Sequence, residues 1–515
     1  MFAMTRTATM SGIRGVEVQV EVDSRRGLPG FNIVGLGDTA VKEASDRVKS
    51  AIINSEFDYP MGKIVVNLSP GWIRKRGSHF DMPIALGILV AEGILSQESV
   101  SNKVFIGELA LKGDAVPVKG ILPMIAGLDE GIEEIYLPRE NAKEGYLASR
   151  DIGTKIVAID SLKQMVEYIL EPEKVEYFDG ESFIVSENSF SSELDYSDVK
   201  GHYAAKEAIV VAMSGGHSLL MMGSPGTGKT MLAKRIPTIF PEMSPKEQIE
   251  TSMVYSLIGE LTSERPIISE RPFRLVNNRV TEASLIGGGA EPVPGEISLA
   301  NNGILFMDEF LEYDRKVIEA LRKPIEEHRV SILRRGQCYT FPADFTLVAA
   351  ANPCPCGYYG DKKKACTCSQ FEIERYRKRM SGPIAERIDM SIEIERIEYD
   401  ELSSSSKSSM NISSEEMRDR VIRARKIQSD RFRNEKFSLN SQIPDSRIFT
   451  YLSLGPEESA FLEKAYSKFN FSPRRYHKVL KLSRTIADLS ESESIRTEHI
   501  ASAISYTRFF AETGK

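Results

Sequence analysis

At 515 residues, 41% hydrophobic and 27% charged, the chain has an ordinary globular composition and is too long for one compact core. Its net charge of −7 excludes a protein coated all over in basic residues, though not one that confines positive charge to a channel. No apolar run approaches the roughly 20 residues that span a bilayer. The longest candidate, Phe80 to Leu95, is broken by Asp81, Pro83 and Glu92. The N-terminus lacks the basic-then-apolar order of a signal peptide. A cytoplasmic protein that makes no membrane contact is therefore expected.

The first block, 1–170, alternates β-like runs with helical patterns. The runs are Val16 to Val22, Lys63 to Leu68, Lys103 to Ile106, Glu134 to Leu137 and Lys155 to Ile159. Between Asp38 and Asn54 apolar residues recur at helical spacing. This reads as α+β or α/β. An acidic linker, 171–198, holds nine acids and one lysine around a Ser-rich middle, the composition of a partly mobile hinge. The second block, 199–392, alternates strands and helices. A Ser-rich linker, 393–412, separates it from a last block, 413–515, that reads as helical throughout.

The second block carries the chemistry. The apolar run Ser218 to Met222 enters Gly223-Ser224-Pro225-Gly226-Thr227-Gly228-Lys229-Thr230, and a helical segment follows. This is a complete G-x-x-x-x-G-K-[ST] pattern in strand–loop–helix context. Its glycines let backbone N–H groups turn inward around phosphates at the positive end of a helix. Lys229 is placed to reach the β- and γ-phosphates of ATP, and Thr230 to offer a hydroxyl to Mg²⁺. A second strand ends in Asp308-Glu309. Asp308 suits the Mg²⁺ shell, and Glu309 the task of orienting or polarising the attacking water. A third strand, Phe345 to Ala351, ends at Asn352, whose amide can sense the γ-phosphate. Each is ambiguous alone; the order lysine loop, acidic strand, polar strand end removes the ambiguity.

Two arginines need other surfaces. Arg387 lies in Ala385-Glu-Arg-Ile-Asp389. Arg474 follows Ser472, an N-cap type, and Pro473, a first-turn type. A cation in a helix's first turn gains nothing from the dipole. An arginine on a transferring phosphoryl group raises rates by roughly 10³–10⁵; the alternative is a solvated helix face. Four cysteines, Cys354, Cys356, Cys366 and Cys368, form C-x-C, nine residues, C-x-C. Four thiolates suit tetrahedral Zn²⁺. Gly357 and Gly360 would permit the fold-back, and Lys362 to Lys364 would offset thiolate charge. Four reduced cysteines in a surface loop are the other reading.

The chain resembles the magnesium-chelatase-like AAA+ ATPases of the ComM/YifB family over nearly its whole length. The matching stretches include Asp198-Val-Lys-Gly201, the glycine loop, Arg271-Pro-Phe-Arg274, Gly287-Gly-Gly289, Pro294-Gly-Glu-Ile-Ser298, Asn352-Pro-Cys-Pro-Cys356-Gly and Arg387-Ile-Asp389. The resemblance implies a multidomain α/β architecture: an S5-like α+β N-terminal domain, a P-loop AAA+ parallel-sheet core and a C-terminal helical lid. It also implies a hexameric ring with ATP at subunit interfaces. In that ring Arg387 is the finger reaching the neighbour's γ-phosphate, and Arg474 is the lid arginine. A β-hairpin over Val330 to Phe341 would carry Arg334 and Arg335 at its tip, toward single-stranded or branched DNA; an ordinary exposed turn is the other reading. Where the family usually has Pro-His-His, this chain has Val276-Asn277-Asn278.

The first block resembles the S5-like fold shared with the Lon proteolytic domain. Alignment puts His79 at or beside the nucleophile position and Leu122 at the lysine position. A serine without its base is not activated, so a scaffold or DNA-handling surface is expected. The resemblance implies a branch-migration helicase of natural transformation. The runner-up is a chelatase-type subunit that remodels a metal-inserting partner; the N-terminal block weighs against it. A partner-assembling ATPase scaffold and an active protease are further alternatives.

Overall fold

The computed structural model describes residues 1–150, 152–180, 194–334, 336–380, 382–397 and 411–507. Arg335 and most of the Ser-rich linker lie outside them, as do residues 181–193 of the acidic linker. Among the described residues no helix is long and apolar enough to cross a membrane.

The N-terminal block folds around a seven-stranded mixed sheet. Its strand order is Gly30–Val34, Lys63–Ser69, Arg14–Arg25, Phe2–Ser11, Lys103–Phe105, Glu134–Pro138, Lys155–Ile159. The helix Thr39–Asn54 is capped by Asp38, whose side chain accepts from the Val41 amide, and buries Val41, Ala44, Val48, Ala51 and Ile52. The apolar stretch near residue 85 is the helix Asp81–Ala91, buried at every position. It packs on the first two strands of the chain, which explains its hydrophobicity without a bilayer.

The core is a five-stranded parallel sheet. Counted by position in the chain, its strands stand in the spatial order 2-3-4-1-5: Phe273–Val276, Ile304–Met307, Thr346–Ala351, Leu219–Met222, Met390–Glu393. Leu219–Met222 and Ile304–Met307 are buried at every residue, as strands covered on both faces must be. Parallel pairing aligns their carboxyl ends on one edge, and the order reverses beside the first strand. That is where open α/β sheets hold ligands.

The C-terminal helices are Ser414–Arg431, Pro456–Phe469, Pro473–Leu489 and Thr497–Tyr506. They share one hydrophobic cluster with one face of this sheet: Met221, Phe306 and Val348 belong to the same core as Val421, Leu480 and Ile500. The N-terminal block seats on the helix Pro245–Ile258, where the Gly120 amide donates to the Ser256 carbonyl at 3.1 Å. It also meets the hairpin of Arg329–Arg334 and Gln337–Pro342, through the Arg76 guanidinium 5.9 Å from the Tyr339 ring centroid.

Candidate active site

The strand Leu219–Met222 delivers the chain into a turn that only glycine tolerates cheaply. Gly226 and Gly228 have φ of +77° and +87°, and the helix Lys229–Lys234 starts directly afterwards. Lys229 folds back over this loop. Its Nζ donates to the carbonyls of Gly223 (2.6 Å) and Ser224 (3.0 Å) and to Asn352 Oδ1 (3.4 Å). Burial lowers its affinity for the proton, opposed by Asp308 and Glu309. Thr230 Oγ1 donates to Asp308 Oδ2 at 2.6 Å, bridging loop and acidic strand. Two oxygen ligands at that spacing suit a hard divalent cation.

Glu309 is held beside this pair in a left-handed conformation, φ +51°. A non-glycine residue there is uncommon and marks a constrained site. Its Oε2 accepts from Asn278 Nδ2 at 2.9 Å. Sequence reasoning noted Asn277-Asn278 only as a departure from the family pattern; the contact crosses from the second strand to the third. A cavity of about 820 Å³ opens against Gly223 and Ser224, lined in part by His202, Tyr203, Tyr359 and Ile394.

The sheet edge thus gathers Lys229, Thr230, Asp308, Glu309 and Asn352. The two singled-out arginines stand elsewhere, and they stand together. Arg387 is 6% exposed, not a solvated face. It pairs with Glu326 at 2.5 Å, and its Nε has no hydrogen-bond partner among the described residues. Arg474, half exposed, lies 3.6 Å from both Glu326 and Glu386. Ser472 caps its helix as expected, accepting from the Arg475 amide. No signal in the sequence pointed to Glu326, because the pair joins segments about sixty residues apart. Arg334 is exposed at the hairpin end, paired in register with Gln337 across Gly336, φ +78°.

The four cysteines converge. Their sulfurs lie within 4.8 Å of one another, with Cys354–Cys356, Cys354–Cys366 and Cys356–Cys366 at 3.4, 3.6 and 3.5 Å. Gly357 and Gly360 both have positive φ, as the fold-back requires. Lys362 pairs with Glu395, and Lys364 lies over the Tyr358 ring.

In the N-terminal block, Ser78 Oγ donates to Glu108, and the Gly77 amide to Asp38. Lys75 is wholly buried and donates to the Pro70 carbonyl. His79 is buried beside Phe80, and Leu122 sits in the core.

A parallel sheet in this order, with a lysine loop, an acid pair and a polar strand end on one edge, defines a P-loop nucleoside triphosphatase of the AAA+ class. Sequence profiles agree: magnesium chelatase, subunit ChlI, matches residues 195–402; subunit ChlI of Mg-chelatase matches 20–141; and the ChlI C-terminal profile matches 411–507. The chain is 39% identical over 509 residues to the competence protein ComM of Haemophilus influenzae, covering 98% of this chain and 97% of that one. It is 36% identical over 507 residues to the uncharacterized protein YifB of Escherichia coli strain K12, covering 98% and 96%. A weaker likeness, 26% over 281 residues, links half of it to a third of the DNA replication licensing factor mcm7-B of Xenopus laevis. The chain belongs to the ComM/YifB family of magnesium-chelatase-like AAA+ ATPases. Membership implies ATP and Mg²⁺ as the ligands of this site.

Proposed function

We propose that the protein is an ATP-hydrolysing ring motor acting on single-stranded or branched DNA in the cytoplasm, a branch-migration helicase of the natural-transformation type. The observation that carries the ATPase reading is the Thr230–Asp308 bond of 2.6 Å at a sheet edge that also holds Lys229, Glu309 and Asn352. In this reading the backbone of Gly223 to Thr230 cradles the triphosphate. Lys229 leaves its loop carbonyls for the β- and γ-phosphates, and Asn352 follows the γ-phosphate. Thr230 and Asp308 hold Mg²⁺, which supplies charge neutralisation when bound. Glu309 orients the attacking water and accepts its proton. The adjoining cavity takes base and ribose.

Arg387 and Arg474 make no contact with these five residues in the described hydrogen bonds and ion pairs. They are assigned to a neighbouring subunit's ATP, released from Glu326 when the ring, expected to be hexameric, closes. Arg334 and Arg335 are assigned to phosphate contacts in the channel. The DNA assignment draws on the full-length likeness to ComM. The alternative, an ATPase remodelling a protein partner in metal insertion, draws on the chelatase descriptions of the matching profiles. ATP turnover measured with and without single-stranded or forked DNA separates them. Several-fold stimulation and salt-sensitive binding are expected; absence of both discards the DNA motor. The cysteine centre is proposed to hold structural zinc.

A further inference from the structure

We propose that zinc at the four-cysteine centre acts as a clamp on the phosphate loop, so that nucleotide affinity depends on zinc occupancy. The proposal rests on the ATP-site reading and adds its regulation.

The donor set fits the ion. A tetrahedron with Zn–S of roughly 2.3 Å has sulfurs about 3.8 Å apart. The observed 3.4–3.6 Å separations approach that spacing and far exceed the roughly 2.05 Å of a disulfide. Backbone amides already point at the sulfurs: those of Tyr359, Cys356 and Cys368 donate to Cys354, Cys368 and Cys366 at 3.3–3.4 Å. Such donors stabilise thiolates and fix ligand direction, as outer-shell partners of metal sites do.

Outside the cysteine centre the loop is held by polar and ring contacts, such as Arg377 on the Pro353 carbonyl (3.4 Å) and over the Tyr359 ring (5.1 Å). Residues 353–369 contain no helix or strand, and none belongs to a hydrophobic cluster among the described residues. Structureless loops longer than about 12–15 residues are uncommon in compact domains unless function or cross-linking orders them. Four ligands to one ion supply that ordering.

The knuckle meets the phosphate loop at Ser224 and Pro225, two of the four positions that the lysine-loop pattern leaves unspecified. Gly357, φ +85°, lies so close to Pro225 that a Cβ on it would meet the ring at 2.7 Å. The Asp361 carboxylate, held below its usual range first by the Lys363 and Lys364 amides and further by the Ser224 side chain, lines the same cavity wall as Ser224. At its N-terminal end the knuckle continues directly from Asn352, which touches Lys229. At its far side Asp361 and Lys362 reach Arg396 (3.8 Å) and Glu395 (3.0 Å), beyond the last core strand. One ion thereby ties the phosphate loop, the sensing amide and the cavity wall together. Without it Ser224 and Pro225 lose their outer support, and the loop must be ordered at nucleotide binding, which weakens affinity.

The test uses the full chain and two readouts: zinc content by atomic emission, and affinity for a fluorescent ATP analogue with Mg²⁺. The wild type is expected to hold one zinc per chain. Cys356→Ser should lose zinc and bind nucleotide at least tenfold more weakly. Gly357→Ala should keep its zinc and yet bind severalfold more weakly, because it breaks the contact and spares the ligands. Should Cys356→Ser prove insoluble, wild type stripped by a zinc-selective chelator serves instead; its affinity should fall and return on adding zinc alone. A wild type without zinc, or affinity unchanged by zinc loss or by Gly357→Ala, overturns the clamp. Zinc-loaded wild type that binds no nucleotide overturns the ATP-site reading and the clamp with it. Affinity that survives stripping overturns the clamp alone.

Discussion

The phosphate-loop cluster and the Ser78 neighbourhood use the same residue types: a hydroxyl, a lysine and a carboxylate. In the core these are Thr230, Lys229 and Asp308, brought from two parallel strands to an open edge beside a cavity. In the N-terminal block they are Ser78, Lys75 and Glu108. There the lysine is sealed on a backbone carbonyl, and the serine donates to the carboxylate rather than to a lysine that would activate it. The difference is one of address. Polar groups that meet where a sheet ends are available to a ligand; those that meet inside a loop-and-helix junction serve the fold.

The strongest way to break this comparison is to show that the core cluster suffices alone. Arg387 is buried on Glu326 and, in the interfacial reading, finishes a neighbour's site. Arg387→Ala should lower ATP turnover by roughly 10³. Mixing it with Glu309→Gln subunits should restore part of the activity, because some interfaces then pair an intact arginine with an intact Glu309. Full activity of the variant alone makes the edge cluster self-sufficient, and failure of the mixture removes the interfacial role.

Next in size is the contrast itself. Glu309→Gln keeps shape and hydrogen bonding but cannot accept a proton, so turnover should fall by about 10² or more with nucleotide binding retained. Ser78→Ala should leave turnover unchanged in the same assay. Equal losses in the two variants would erase the distinction between the clusters.

The core cluster was readable because its chemistry is local. Glycine turn, lysine and hydroxyl are consecutive, and each acid or amide ends an apolar run. The seven-stranded sheet was less so. Its first strand, Phe2–Ser11, escaped because its inward positions include Thr5, Thr7 and Thr9, which apolar alternation does not count. Thr5 offsets its burial by donating to the Pro83 carbonyl at 2.9 Å. Gly30–Val34, an edge strand, buries too little to leave a period. Nothing local could reveal Asn278 on Glu309, Glu326 on Arg387 or Gly357 on Pro225. These contacts join distant segments, and single-sequence periodicity carries no such information.

A stability measurement sharpens the N-terminal half of the contrast. Burial pushes the His79 imidazole down to about 4. The unfolded chain protonates it near 6.5, so His79 costs stability as pH falls from about 6.5 to 4, by about 3 kcal/mol in total. Asp81 acts in the opposite sense: burial, against Arg47, holds its carboxyl up to about 6, so acid favours the fold there. The raw profile therefore mixes both. The informative quantity is the difference between wild type and His79→Leu in denaturant midpoint at pH 7 and pH 5. The variant should resist acid better. Identical shifts would mean that His79 is hydrated and available, as a working site would need.

The smallest expected effect concerns Asn278. Its amide donates to Glu309 Oε2 at 2.9 Å. It also holds the carboxylate at the second strand rather than leaving it free over the Thr230–Asp308 pair. Asn278→Ala should therefore raise turnover in the absence of DNA by about two- to fivefold, less than a buried hydrogen bond to a charged group is worth because this exposed carboxylate regains water. Asn278→Asp adds a like charge beside Glu309 and should change the pH dependence of turnover, which a purely packing role would leave alone. A drop of more than tenfold in Asn278→Ala would reverse the assignment, making the amide the group that aims Glu309 at water.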